Sequence, residues 1–132
     1  MKLKTAQAIQ LYANELEPQI DTAYQGISFS PQSGVPYQEY YILPALNDAL
    51  FINQSDTIYR GIFQITLRYP TGAGIGEVLQ RVDLIEPHFY KGKSLINDDV
   101  KVVFDDSKVF NLGTEGDRLV YVFSVEFRAF KI

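Results

Sequence analysis

Four groups of residues in this chain have types and spacing that invite a chemical reading. Gly72, Ala73, Gly74, Ile75 and Gly76 stand between a strand-like and a helix-like stretch, the place where backbone amides cradle phosphates in nucleotide-binding proteins. A dinucleotide fingerprint needs G-x-G-x-x-G, and a phosphate loop needs a terminal G-K-[ST]. Neither is present, and Glu77 sits in the first turn of the following helix, where its charge suits the helix dipole and repels a phosphate. The glycines therefore read as a turn or a protein-contact loop. His88 is the single histidine and has no nucleophile motif such as G-x-S-x-G to serve. It follows Pro87 at a helix end, where a basic group meets the last carbonyls, and reads as structural. Asp98, Asp99, Asp105 and Asp106 flank one strand like a hard-cation cluster, but without EF-hand spacing they read as turn formers. Tyr37, Tyr40, Tyr41, Tyr59 and Phe63 lack the interleaved Lys or Arg of a base-stacking platform and read as core or interface aromatics. No catalytic, cofactor-binding or metal-ligating residue is assigned.

Composition narrows the class further. A chain of 132 residues is read as a single domain, 1–132, able to bury about two thirds of the surface its unfolded form exposes. With 12 scattered basic residues and a net charge of −4, it has no cluster to track a phosphate backbone, so sequence-specific nucleic-acid binding is not expected. The absence of cysteine excludes disulfides and thiolate chemistry. Nine Tyr and nine Phe, with no Trp, make aromatic burial the main source of core area. The N-terminus starts basic but carries no unbroken apolar run or small-residue cleavage site, and reads as a helix rather than a signal peptide. No apolar run approaches the ~20 residues of a membrane span. The expectation is a soluble, cytoplasmically made protein with no membrane partner.

The elements that must position these residues are organised around 57–89. Along 57–69, Tyr59, Phe63, Ile65, Leu67 and Tyr69 fall on odd positions, and Arg60, Gln64, Thr66 and Arg68 on even ones. That period predicts a strand with one face in a core. Ile75, Leu79, Val82, Ile85 and Phe89 recur at three and four, predicting a helix laid on that face. Upstream, Thr5 as N-cap and Ile9, Tyr12, Ala13, Leu16 and Ile20 predict a helix over 5–17, ending or bending at Pro18 and at most reaching Tyr24. Residues 26–36 read as an exposed loop and 37–43 as a strand.

The stretch 44–56 fits neither period. Leu46, Leu50, Phe51 and Ile52 are too apolar for a solvated loop, so the segment folds onto its own core or forms an arm over a neighbouring subunit. Residues 90–99 read as a connection with Gly92 as a helix cap. Residues 100–104 predict a strand, 105–107 a turn and 109–112 a short strand. Residues 119–130 read as a long strand with odd-numbered Leu119 to Ala129 on one face, forming with 57–69 the two longest strands. The order predicts an α+β fold: a largely antiparallel four- to five-stranded sheet with two helices packed on one face.

The residues LPALNDALF (43–51) and IYRGIFQITLRYPTGAGIGEVLQRVDLIEPHF (58–89) carry a resemblance to the phage tail-terminator-like proteins. The match includes an Arg-Gly-apolar-Gln-apolar strand at Arg60 to Ile65, a Pro- and Gly-rich loop, an amphipathic helix ending in Phe-x-x-Gly at Phe89 to Gly92, and Val125, Phe127 and Arg128. It covers roughly 5–130, and 100–116 departs most. The resemblance implies a structural, non-enzymatic assembly protein without cofactors. Such proteins form a ring, usually a hexamer, that caps the tail tube, halts its polymerisation and offers the surface for head-tail joining. It also implies tail tube protein and head-tail connector proteins as partners, with a place in the host cytoplasm during assembly and then in the virion. Leu46, Leu50, Phe51, Ile52, Gly72, Gly74 and Gly76 are the candidate interface residues. A head-tail connector or neck protein is the alternative from the same virion; a small-ligand binder using the 71–77 loop is the alternative from outside it. Calorimetry with ATP, GTP and NAD is expected to show no binding, and micromolar affinity for any of them would overturn the reading of the glycine loop.

Overall fold

The computed structural model describes residues 1–45 and 58–132. In chain order the elements are α1 (Lys2–Asn14), β1 (Asp21–Tyr24), β2 (Tyr37–Pro44), β3 (Tyr59–Pro70), α2 (Gly76–His88), β4 (Ser94–Asn97), β5 (Val100–Glu115) and β6 (Arg118–Lys131). They form an α+β structure of two helices and one sheet in the order β1-β2-β3-β6-β5-β4.

The sheet is built outward from its central pair. β3 and β6 run antiparallel, with Phe63 opposite Val125, Ile65 opposite Phe123 and Leu67 opposite Tyr121. The alternation predicted for both strands is realised: Phe63, Ile65, Leu67 and Tyr69 are buried, as are Tyr121, Phe123, Val125, Phe127 and Ala129. Both helices pack on this face. α1 contributes Ala8, Ile9 and Ala13 to the core, and α2 contributes Val78, Val82 and Ile85. Just past α2, the fully buried Phe89 ring meets Phe63 at 5.6 Å, Phe104 at 5.2 Å, Phe123 at 5.7 Å and Tyr12 at 5.4 Å. These spacings and tilts are those that aromatic quadrupoles favour.

Several expectations are corrected. The sheet has six strands rather than four or five. It is mixed rather than largely antiparallel, because β1 runs parallel to β2, with Asp21 opposite Tyr37. β1 occupies residues that the sequence allowed as a helical continuation; α1 ends at Asn14, so Pro18 lies in the connection. Thr5 is not the N-cap: it lies inside α1, fully buried, with its hydroxyl donating to the Met1 carbonyl at 2.8 Å. The second edge strand, β4, lies within the stretch read as a connection and pairs with β5. Gly92 sits in the turn before β4, its amide donating to the Phe104 carbonyl, while Phe89 takes the C-cap of α2. Asp105 and Asp106 are not a turn: the register shifts between Phe104 and Ser107 and again between Asn111 and Gly113, so β5 bulges twice and continues. At 16 residues β5 is longer than β6 with 14 and β3 with 12. Finally, α2 is turned by one residue from the predicted stripe. Val78, Arg81, Val82 and Ile85 face inward, while Ile75 and Leu79 are 50% and 37% exposed.

The glycine of the Arg60-Gly61 pair has a packing reason. A Cβ there would stand 2.5 Å from the Phe127 ring and 2.8 Å from the Leu43 carbonyl oxygen. Gly61→Ala is expected to lower stability by about 1–3 kcal/mol, as overpacking does. Phe63→Ala and Phe123→Ala are expected to lose about 3–5 kcal/mol each, as buried aromatics do. Urea unfolding measures all three, and losses below about 1 kcal/mol at both Phe positions would mean that the wrong face was assigned to the core.

Candidate interaction surface

Three connections meet at one end of the sheet, where β3 ends at Pro70 and β6 begins at Arg118, its register partner. The Thr71 amide donates to the Asp117 carbonyl at 3.1 Å, joining the glycine loop to the β5–β6 turn. Arg118 ties in the third connection. Its guanidinium donates to the Val35 carbonyl and, at 2.6 Å, to the Gln32 carbonyl, and it lies 5.0 Å from the centre of the Tyr37 ring. Only 7% of Arg118 is exposed, so these charge-assisted bonds work in a partly dry setting. On the same outer face, Arg68 pairs with Glu39 on β2 and, at 3.4 Å, with Glu115 on β5, spanning β6 between them. Glu39 also accepts from the Tyr41 hydroxyl at 2.9 Å.

Beyond Thr71, the glycines of this loop are uncrowded. Gly72 has φ 102° and Gly74 φ 75°, left-handed values that a residue with a Cβ resists. A Cβ built on Gly72, Gly74 or Gly76 meets nothing within 4 Å. Leu46, Leu50, Phe51 and Ile52 lie outside the described residues. The ends that flank them are clear: Pro44 pairs with Gly61, and Tyr59 with Ala129, at the other end of β3 from Pro70. The two candidate segments therefore depart from opposite ends of a strand roughly 40 Å long by its rise per residue.

The remaining residues with chemical promise have structural partners. His88 stacks on Tyr12, ring centres 4.0 Å apart, with its Nε2 2.8 Å from the Tyr12 carbonyl oxygen; the Tyr12 hydroxyl in turn donates to the His88 carbonyl. Asp98 and Asp99 both accept from Lys4 at 2.7 Å, Asp106 pairs with Lys91 at 3.1 Å and Asp105 with Arg128 at 3.3 Å. The aspartates therefore divide among three cations. Among the described residues no three His, Asp or Glu come together as a metal site. Tyr40 and Phe63 are core residues, whereas Tyr37 meets Phe29 at 5.2 Å. Sequence reasoning missed Arg118, Glu39 and Glu115. Arg118 pairs over 83 positions with a loop carbonyl, a relation that no local pattern encodes.

Replacing Arg118 by Met is expected to lower stability by about 2–3 kcal/mol, since two carbonyls lose a charged donor. It should also speed amide exchange across 32–36; an unchanged rate there would show that Arg118 does not hold this loop. A second readout is spectroscopic. Burial pushes the Tyr40 hydroxyl up to about 12. Its neutral form is thus favoured by the fold, so this contribution is complete below the ordinary tyrosine value and lost as pH rises from about 10 to about 12. Burial also raises the Tyr12, Tyr41 and Tyr69 hydroxyls, so ultraviolet titration should show several late tyrosine ionisations, of which Tyr40→Phe removes the one at about 12.

Comparison with known proteins agrees with this architecture. No curated protein matches the chain. Seven solved chains do. One, whose name carries no functional word, is 18% identical over 98% of this chain and 95% of its own, with a TM-score of 0.79; it shares the fold. Among the described residues no helix is long and apolar enough to cross a membrane. A model of the phage tail terminator protein family matches residues 3–127, almost the whole length over which the sheet and both helices are built. The chain belongs to the phage tail terminator family, and is a structural protein of the phage tail and hence of the virion.

Proposed function

We propose that this protein is the terminator itself: its subunits close into a ring, expected to be a hexamer, that caps the tail tube, stops tube growth and presents the surface to which the head is joined. Assembly takes place in the host cytoplasm, with tail tube protein on one face of the ring and head-tail connector proteins on the other. A single domain, 1–132, carries all the contacts.

The points at which the two candidate segments join β3 support this reading. A ring closes through a heterologous contact, in which two different patches of one subunit meet their opposites on its neighbours. One patch is the open loop with Gly72, Gly74 and Gly76, beside the connections that Arg118 gathers. The other is the apolar segment with Leu46, Leu50, Phe51 and Ile52, which leaves from the other end of β3. Two segments that join the chain at opposite ends of a stiff strand suit head-to-tail closure.

Phe51→Asp and Gly76→Asp separate the two patches. Gly76 has no left-handed φ and open space around it, so aspartate fits there without strain in its own subunit. Each variant is expected to remain folded, to sediment as a species smaller than the ring and to fail to arrest tube growth in an assembly reaction. Mixed together they should pair, because one intact patch of each variant still meets the other, yet never close. Rings from both single variants would place the contact elsewhere, with 27–36 as the next candidate. Unfolding of Phe51→Asp would assign that segment to its own core.

A further inference from the structure

β4 is the last strand of the sheet, so one of its edges has no strand beside it. The Phe104 amide donates to the Lys93 carbonyl at 2.9 Å, and Asn97 faces Val100 across the two-residue turn Asp98–Asp99. Backbone groups alternate along a strand, so Leu95 and Asn97 bond to β5, while the N–H and C=O of Ser94 and Ile96 point away from the sheet. Among the described residues nothing bonds to those four groups. Beside this edge runs a groove of about 380 Å³, lined by Ala8, Leu11 and Tyr12 of α1, by its C-cap Glu15, and by 93–97. Leu11 and Ile96 are 69% and 65% exposed. An open strand edge is where a sheet accepts one more strand, and a flanking groove is what receives its side chains.

The charges along this edge are arranged to suit a reversed copy of it. Lys4 pairs with Asp98 and Asp99 at 2.7 Å, so two carboxylates share one ammonium and that end keeps a net negative charge. At the other end, Lys93 lies 5.1 Å from the centre of the Tyr12 ring and has no carboxylate partner among the described residues. α1 therefore runs antiparallel to β4. Lys4, Ala8, Leu11 and Glu15 recur along it at intervals of four, three and four, which puts them on one flank with opposite charges at its two ends.

We propose that the β4 edge pairs with the β4 edge of a second copy, antiparallel about a two-fold axis at Leu95. Ser94 of each copy then stands opposite Ile96 of the other, and every free N–H meets a free C=O. Lys93 comes opposite Asn97 of the partner subunit and next to Asp98 of the partner subunit. The same axis reverses the two α1 helices, bringing the Lys4 end of one to the Glu15 end of the other. Because α1 packs on both β4 and β5, the joined edges set these helices roughly 10 Å apart, an ordinary packing distance. Four residues of edge pair weakly alone, so the helix flanks and the end charges carry much of the contact. It is isologous and closes at two copies, and it neither uses nor requires the ring contact.

Cysteine cross-linking tests the pairing, because the chain has no cysteine of its own. The axis makes the two Leu95 residues a facing pair with Cα atoms about 4.5 Å apart, a span that a disulfide bridges. Under copper–phenanthroline oxidation, Leu95→Cys is expected to give a covalent dimer roughly ten-fold faster than Ile27→Cys, a control at an exposed position. A denaturing gel reads this bond alone, whether or not rings are present. Ser94 and Ile96 are both exposed, so their cysteine variants keep the test open where Leu95→Cys fails to fold. A mixture of Ser94→Cys and Ile96→Cys chains should cross-link faster than either chain by itself. Ser94→Pro removes an outward N–H from each edge, and Leu11→Glu alters only an exposed side chain; each should slow Leu95→Cys cross-linking by about ten-fold. Cross-linking no faster than in Ile27→Cys, no faster in the mixture than in the single chains, or unslowed by both second-site changes would overturn the proposal and leave the groove to a strand of another protein.

Discussion

The buried ring of Phe89 is the point at which both helices meet the central strands. It lies one residue beyond α2 and touches β3 through Phe63, β5 through Phe104, β6 through Phe123 and α1 through Tyr12. Removing a fully buried aromatic of this kind costs about 3–5 kcal/mol, a large share of the marginal stability of a domain. The Tyr12–His88 stack and their paired carbonyl contacts fasten the same corner from the side. With α2 and α1 fixed to the central strands, the connections at the strand ends are the parts left to vary.

That division suits an assembly protein. The inner face of the sheet is apolar and closed by helices, while the outer face carries the Glu39–Arg68–Glu115 chain and Arg118. Both edges are short or irregular. β1 and β4 have four residues each, and β5 bulges twice where β4 no longer covers it. Short and bulged edges resist unplanned pairing with other sheets. In the proposed assembly, specific contacts fall to the strand-end connections, where single loops are exposed on a rigid frame.

The centre of this fold was legible because its physics is local. Alternation along β3 and β6 announces a half-buried strand, and Phe89 belongs to a helical repeat whether the stripe starts at Ile75 or at Val78. The choice between those starts was not legible: both give apolar residues at threes and fours, and the true one buries Arg81, which side-chain polarity alone argues against. β1, with the sequence DTAY, has too few apolar residues to signal a strand, and it exists because β2 offers it an edge. Two aspartates in a row suggest a turn, yet a bulge uses the same local backbone preference and lets β5 continue. For the candidate surface, the sequence singled out the glycine loop, but not Arg118, whose partners lie 83 and 86 positions away. Long-range hydrogen bonds have no periodicity to read.

Hydrogen–deuterium exchange, on the free protein and on the protein bound to tail tubes, tests most directly whether assembly uses the ends of β3. Assembly through those ends predicts new protection in 46–57 and in the Arg118-gathered connections at 32–36, 71–76 and 116–117, with β1 and β4 unchanged. Protection confined to β1 and β4, with both ends of β3 exchanging as in the free chain, would contradict it.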